Sequence, residues 1–364
     1  MITEQTQGLE EAIRTRCSSL GFTRVGIARV EDISQDFSRY RAFIDEGMHG
    51  SMTYLAHNQE SRRTLDTPAV LDGARSVIVC ATDYRPAAPV DAAKRDAVDS
   101  GMLGLRGARV AAYARGQDYH NFVRKRLRRL AEFVRNETGC EARPMVDTAP
   151  ILERAWARLA GVGFVGKNGM IIAPGIGSFF LLGEVVTTAE LAPDTALDSR
   201  CGACTLCLDA CPTGAFPRPF VLDARKCVSF LTIEHEGEIP EELREGIGDR
   251  FFGCDECQDV CPFNKSPTPR EIAPQFALGA RWSKRTVESL LSLDEAEFRR
   301  LTLGSPLGRP GRDGLVRNAM IVLGNFGDES HLPALYASIE RERDEPLRAL
   351  ARWAIARIES RQRP

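Results

Sequence analysis

The sequence contains no apolar run long enough to span a bilayer. Its most apolar stretch, Met170 to Val186, is interrupted by Pro174, three glycines and Glu184. The first residues, MITEQTQGLEEAIRTRC, carry acidic groups and no apolar core of signal length, so neither an export leader nor an anchor is expected. Net charge is scarce too, because 48 basic residues against 50 acidic ones leave a formal −2. Any contact with nucleic acid must then come from a local patch instead of a global basic field. A cytoplasmic protein with no membrane partner is the expectation. At 364 residues, 43% of them hydrophobic, the chain can fill the cores of two or three domains.

A phosphate loop is missing as well. Gly161, Gly163 and Gly166 fit G-x-G-x-x-G, and Gly161 to Lys167 fits most of a P-loop before failing at Asn168. Nucleotide loops leave a strand and open a helix. Here a helical pattern, Ile151 to Leu159, precedes the glycines and a strand, Met170 to Ala173, follows, so the motif is rejected.

Cysteine, in contrast, is concentrated. Eight of the 11 cysteines lie between Cys201 and Cys261. Cys201, Cys204, Cys207 and Cys211-Pro212 have the bacterial ferredoxin spacing, in which the fourth cysteine ligates the other of two iron–sulfur clusters. Cys254, Cys257 and Cys261-Pro262 form a second run that lacks a ligand, since Phe251 occupies the required position. Cys227 is the natural substitute. Crossed ligation then gives one [4Fe-4S] cluster to Cys201, Cys204, Cys207 and Cys261, and the second to Cys211, Cys227, Cys254 and Cys257. Structural zinc favours two C-x2-C pairs and fits less well. Disulfides suit neither the missing leader nor a reducing cytosol. Cys17, Cys80 and Cys140 have no partners at ligand spacing and read as buried thiols.

Periodicity divides the chain into three regions. Residues 1–193 alternate helical patterns (Leu9 to Leu20, Asn121 to Thr138) with strands (Arg24 to Val30, Ser76 to Asp83, Phe179 to Val186), as α/β domains do. Pro193-Asp194 opens a linker into the cysteine module, 194–280, which ends in a proline-punctuated loop, Pro262 to Pro274. Residues 281–364 are helical. Gly314 to Leu323, broken by Gly324-Asn325, is followed by Leu332 to Ile339 and Pro346 to Ile358, a pattern like HEAT repeats or a plain helical cap.

Electrons carried by such a module need an acceptor in the first region. Polar candidates there are Arg62, Tyr113, Asp118, Tyr119, His120, Asp147, Lys167 and Asn168. Asp147 and Thr148 precede Pro150, where a helix cap is the plainer reading of the aspartate. His120 lacks the glycine that a D-x-H-x-x-G cobalamin motif requires, Val123 standing there. A histidine opening a helix is more often structural than a ligand.

Longer motifs resolve these alternatives. Met52 to Ala56 (M-x-Y-L-A), Tyr113 to His120 (Y-A-R-G-Q-D-Y-H), Val146 to Trp156 (V-D-T-A-P-I-L-E-R-A-W), Gly166 to Asn168, Cys227 to His235 (C-V-S-F-L-T-I-E-H) and Gly253 to Asn264 run through nearly the whole chain. Together with the cysteines they resemble the epoxyqueuosine reductase family of cobalamin-dependent iron–sulfur tRNA-modifying enzymes. The resemblance implies a nitroreductase-like cobalamin-binding α/β domain, a ferredoxin-like two-cluster module and C-terminal HEAT-like helical repeats. It implies cobalamin in addition to two [4Fe-4S] clusters, and makes Asp147 the proton donor, which reverses the cap reading. Asp147, Arg62, Lys167, Asn168, Ser229 and Asp255 become corrinoid or substrate contacts. The loop from Arg62 to Pro68 and the segment from Ala87 to Arg109 look longer than the family pattern.

The implied reaction is reduction of the epoxide of epoxyqueuosine in a tRNA anticodon stem-loop, the last step of queuosine formation. The clusters take electrons from an external donor and pass them to cobalamin, while Asp147 protonates the departing oxygen. Burial against a corrin face would raise the pKa of that aspartic acid. Arg124 and Arg128, with Lys125, Arg126 and Arg129, form one basic patch; Arg348 and Arg352, with Arg341, Arg343, Arg357 and Arg361, form another. Either can grip phosphate or lie as a solvated face. No self-associating surface is visible, so a monomer is expected. Two other classes compete: a reductive dehalogenase-like corrinoid enzyme, which should carry an export signal and lack the repeats, and a non-catalytic electron-transfer protein, which would bind no corrinoid.

Overall fold

The computed structural model describes residues 4–84, 104–105, 107–147, 149–265, 274–277 and 279–362. Thr148, most of the Ala87 to Arg109 extension and most of the Pro262 to Pro274 loop lie outside them. Four strands make the central sheet, in the order Arg24–Arg29, Ser76–Asp83, Phe180–Thr187, Ala142–Met145, with every neighbour antiparallel. Alternation along these strands sorts side chains to two faces. Ile27, Ile78, Cys80 and Val185 meet the helices Glu4–Ser19 and Tyr119–Thr138 through Ile13, Cys17, Val123 and Leu127. Val77, Val79, Ala81 and Val186 meet the short helix Glu153–Leu159 through Ala155 and Trp156. Gly183 permits this packing: a Cβ there would stand 2.7 Å from Leu127 Cδ1.

The rejected glycine motif lies in a hairpin, Phe164–Val165 pairing with Ile171–Ile172, preceded by the Glu153–Leu159 helix. No helix starts at its glycines, as the order of elements required. The linker at Asp194 is stitched down. Its carboxylate accepts both an Arg14 Nη2 hydrogen bond at 2.8 Å and the Ile27 amide at 2.8 Å, which adds backbone to the exposed edge of the sheet.

The cysteine region is joined to the sheet domain by a second, smaller sheet. Strand Ala108–Val110 pairs in parallel with Arg250–Phe252. Arg109 bridges Asp249 (2.7 Å) and Glu256 (2.8 Å), and Arg250 reaches the same Glu256 at 2.6 Å. Phe251, in the position of the missing cysteine, is fully buried, so its side chain serves the core.

That core continues into the carboxy-terminal helices Gly311–Phe326, Leu332–Arg341 and Glu345–Gln362. The first of these does not break at Gly324-Asn325 as its sequence suggested. It runs on to Phe326 because the Trp353 ring packs where a Gly324 side chain would be, and Asn325 Nδ2 donates to the carbonyls of Arg244 and Gly248. Helix-interior glycine costs roughly 1 kcal/mol, which close packing offsets.

Arg317 and Asn318 fasten this helix to the segment that carries Cys227. Buried Arg317 donates to the carbonyls of Leu231 (2.8 Å), His235 (2.7 Å) and Gly237 (3.0 Å). Fully buried Asn318 donates to those of Thr232 (2.8 Å) and Phe251 (3.0 Å). Arg317→Met keeps the apolar stem but leaves three carbonyls without this donor, so a loss of about 3 kcal/mol or more is expected. Calorimetry of the cluster-loaded protein checks it; an unchanged unfolding midpoint would contradict the role assigned to Arg317.

Candidate functional site

Asp147 follows the edge strand Ala142–Met145 and turns with φ +31°, a left-handed conformation that aspartate adopts more readily than most residues. Its Oδ2 accepts the Tyr119 hydroxyl at 2.9 Å and lies 3.1 Å from His120 Nε2. Its amide donates to Glu153 Oε1 at 2.7 Å. The cap reading is therefore wrong for this residue. The helix starts at Glu153 with Leu152 as its boundary and no side-chain cap, and the Asp147 carboxylate faces the start of the Tyr119–Thr138 helix.

The expected rise in the Asp147 pKa is not seen either. The hydrogen bond from His120 draws the carboxyl below its ordinary value, and this outweighs burial, with Tyr119 and Arg309 acting in the same direction as His120. His120 itself is pushed up to about 9 by Asp118 and then by Asp147. Behind Asp147 stand two further carboxyls, half-buried Glu153 and fully buried Glu184, both resistant to ionisation. Glu153 is raised to about 7 by burial and by Asp147, and Glu184 is raised by burial and by Glu153. Both oxygens of Glu184 and the Trp156 indole Nε1 are buried without hydrogen-bond partners among the described residues. The sequence offered a signal for Glu184, a charge inside an apolar strand, but it served only to exclude a membrane span.

Aromatic side chains line one side of this half-exposed carboxylate. Tyr113 packs edge-on against both Tyr84 and Tyr119, with ring centroids 6.4 and 6.0 Å away. Tyr54 is half-exposed, with Arg309 over its ring at 5.8 Å, and Arg309 forms a bidentate pair with Glu234 at 3.0 and 3.1 Å. Arg309 carried no signal in the sequence; only the fold brings it near Asp147.

The eight cysteines separate into two groups. The Cys207 thiol is pushed up by burial and then by its neighbours Cys201, Cys261 and Cys204. Cys257 is pushed up by burial, Cys254 and Cys227; Cys254, raised to about 12, senses Cys227, and Cys227 senses Cys211. These are the two sets that crossed ligation requires. Two sets of four thiols fit two four-cysteine iron–sulfur clusters, whose cationic iron displaces the thiol protons on binding. Among the described residues no three His, Cys, Asp or Glu side chains meet the geometry for a lone metal ion. Cys17 and Cys80 lie in the core with sulfurs 3.8 Å apart, away from these sets.

The remaining expected contacts fall into two kinds. Lys167 Nζ donates to the carbonyls of Gly202 (2.7 Å) and Cys204 (2.9 Å), and Asn168 Nδ2 to that of Cys257 (3.2 Å). The Asp255 carboxylate accepts the Ala112 amide at 2.7 Å. These three side chains hold the cysteine loops in place. Arg62 keeps capacity for a ligand: it is buried over the Tyr40 ring, and its Nε has no partner among the described residues. Ser229 is half-buried, and its amide supports the Cys227 sulfur.

The two basic patches differ. Arg124, Lys125, Arg128 and Arg129 are exposed along one helix, while Arg126 is drawn back to the Gly21 carbonyl and over Phe122. Arg348 and Arg352 both pair with Glu345, and Arg341 and Arg361 donate to backbone carbonyls.

The chain is similar in sequence and fold to known proteins. Residues 65–148 match a family described as epoxyqueuosine reductase QueG, DUF1730, and residues 200–264 match a 4Fe-4S double cluster binding domain. An epoxyqueuosine reductase of Xanthomonas campestris pv. campestris is 41% identical over 347 residues, 94% of each chain. Among solved structures, an epoxyqueuosine reductase with an epoxyqueuosine-modified tRNA-Tyr stem loop superposes with a TM-score of 0.85 at 32% identity, covering 97% of this chain and 91% of the other. A Bacillus subtilis epoxyqueuosine reductase whose catalytic aspartate loop is swung out of the active site gives 0.84 at 30% identity, covering 97% and 91%.

Proposed function

The chain belongs to the epoxyqueuosine reductase family, and from that membership we infer the reaction of its site: two-electron reduction of epoxyqueuosine in tRNA to queuosine. It is an oxidoreductase that uses cobalamin and two [4Fe-4S] clusters. The observation that carries the reading is Asp147, held in a left-handed turn with its carboxylate against Tyr119 and His120. A carboxylate aimed this firmly suits delivery of a proton to a departing oxygen.

Cys201, Cys204, Cys207 and Cys261 hold one cluster, and Cys211, Cys227, Cys254 and Cys257 the other. The clusters supply single electrons and cobalamin, when bound, supplies the strongly reducing centre. Arg62 and Ser229 would hold the corrinoid, while Lys167, Asn168 and Asp255 fix the cysteine loops. Loss of the epoxide oxygen as water consumes two electrons and two protons, and Asp147 delivers the first proton. The Tyr113 and Tyr119 hydroxyls and the buried Glu184 stay neutral beside Asp147, so its charge is answered by His120 and Arg309.

The RNA reaches this site with its modified base turned out of the stack. Arg124 and Arg128 on the exposed helix face bind its phosphates. Arg348 and Arg352, tethered by Glu345, contribute less, and the carboxy-terminal helices act as HEAT-like repeats that shape the docking surface. One chain carries every group named, so the working unit is a cytoplasmic monomer fed by an external electron donor. No helix among the described residues is long and apolar enough to cross a membrane.

The test is reconstitution with iron, sulfide and cobalamin, followed by reduction in the presence of an epoxyqueuosine-bearing stem loop. Conversion to queuosine is expected; cobalamin binding without conversion would refute the reading. Reversing Arg124 and Arg128 to Glu should weaken RNA binding and flatten its log–log salt slope by about 1 to 2. An unchanged slope would remove that patch from the docking surface.

A further inference from the structure

The reaction consumes two protons, yet Asp147 is a single carboxylate. We propose that His120 stores the proton that Asp147 delivers and passes it across the contact between its Nε2 and Asp147 Oδ2. The proposal rests on the function given above.

The imidazole is held at both nitrogens. Nδ1 lies 2.7 Å from Asp118 Oδ1, and Nε2 lies 3.1 Å from Asp147 Oδ2. The His120 amide also donates to Asp118 Oδ1, at 3.0 Å, and the ring stacks on Tyr119 with centroids 4.2 Å apart. Only an imidazolium can donate to two carboxylates at once. The charge balance agrees, for His120 is raised to about 9 while Asp147 and Asp118 are both lowered, each chiefly by its hydrogen bond with His120. At neutral pH the proton shared by His120 and Asp147 resides on the ring.

Other charges around the pair do not displace it. Tyr119 and Arg124 lie on the same helix, Arg124 helping to hold Asp118 ionised. Arg309, from the carboxy-terminal region, favours the Asp147 carboxylate. Glu153, raised to about 7, and Glu184, kept neutral by burial, lie on the opposite face of the sheet, and Tyr113 is kept neutral by its apolar surroundings.

In the proposed step the imidazolium Nε2–H bond breaks as an Oδ2–H bond forms on Asp147. That proton then bonds to the epoxide oxygen as the C–O bond breaks, the electrons coming from the reductive half of the reaction. Neutral imidazole remains with its Nδ1–H on Asp118. It regains a proton from solvent, to which the side chain is 27% exposed, and can supply the second equivalent.

The proposal predicts the pH profile. A histidine raised to about 9 is charged below that value and neutral above it, so single-turnover reduction by the holoenzyme should fall as pH rises through about 9. His120→Gln preserves a donor toward Asp147 but carries no exchangeable proton of suitable pKa. We expect kcat to drop by about 100-fold, the limb near 9 to vanish, and KM for the stem loop to stay unchanged. Asp118→Asn should move the limb toward about 6.5.

With only five histidines in the chain, histidine-selective NMR provides a readout independent of turnover. One resonance of the holoenzyme should titrate near 9 and disappear in His120→Gln. A ring titrating near 6.5, or a His120→Gln enzyme with wild-type kcat and limb, would overturn the proposal. If the wild-type holoenzyme converted no epoxyqueuosine, the functional reading would fail instead, and the NMR midpoint would still decide where the proton resides.

Discussion

Asp147→Asn is expected to lower turnover by about 10²- to 10⁴-fold while leaving iron content, cobalamin binding and RNA affinity intact. Asparagine tolerates the left-handed backbone at φ +31° and can still accept from Tyr119, so the loop should keep its position. What it cannot do is carry a proton between His120 and the leaving oxygen. The same change removes the second-largest influence holding His120 near 9, so the histidine should titrate lower in the variant. Single-turnover conversion measured beside the cobalamin spectrum separates the two losses. Wild-type turnover in a variant with full cobalamin occupancy would exclude Asp147 as the acid.

Cys227→Ala should remove one cluster and leave the other, so that bound iron falls to roughly half and reduction stops. The reason is positional. Cys227 stands at the start of the Val228–Ile233 helix, far in sequence from both ferredoxin runs, and supplies the thiol that Phe251 cannot. The local backbone should survive, because Arg317 and Asn318 grip the carbonyls of Leu231 and Thr232 independently of the sulfur. Iron analysis and electron paramagnetic resonance of the reduced protein check this. Retention of both cluster signals would show that another group completes the second site.

Both expectations were partly legible in the sequence, for different reasons. Ligand spacing is a local property, and one displaced cysteine could be placed by counting. The strand Ser76–Asp83 and the helix pattern ending at Thr138 were legible because their apolar period is strong. The helix through Gly324 was not, since its continuity depends on Trp353, almost thirty residues away. The electrostatics of Asp147 were hidden for the same reason. Burial argued for a raised pKa, and only the fold shows His120, Tyr119 and Arg309 drawing it the other way. Lys167 and Asn168 look like ligand contacts in a string of letters, yet their side chains hold carbonyls of the cysteine loops.

The Arg317–Asn318 clasp has a consequence for how this protein can be varied. The carboxy-terminal helices hold the backbone that presents Cys227, and the same buried core includes Ala108 and Val110 from the first region. Sequence exchange between relatives should therefore fail at a cut near Ser283, however well the helices match, and succeed when residues 227–252 travel with them. The heritable block runs from the displaced cysteine to the end of the chain, so the carboxy-terminal helices and the segment that presents Cys227 are constrained to drift together.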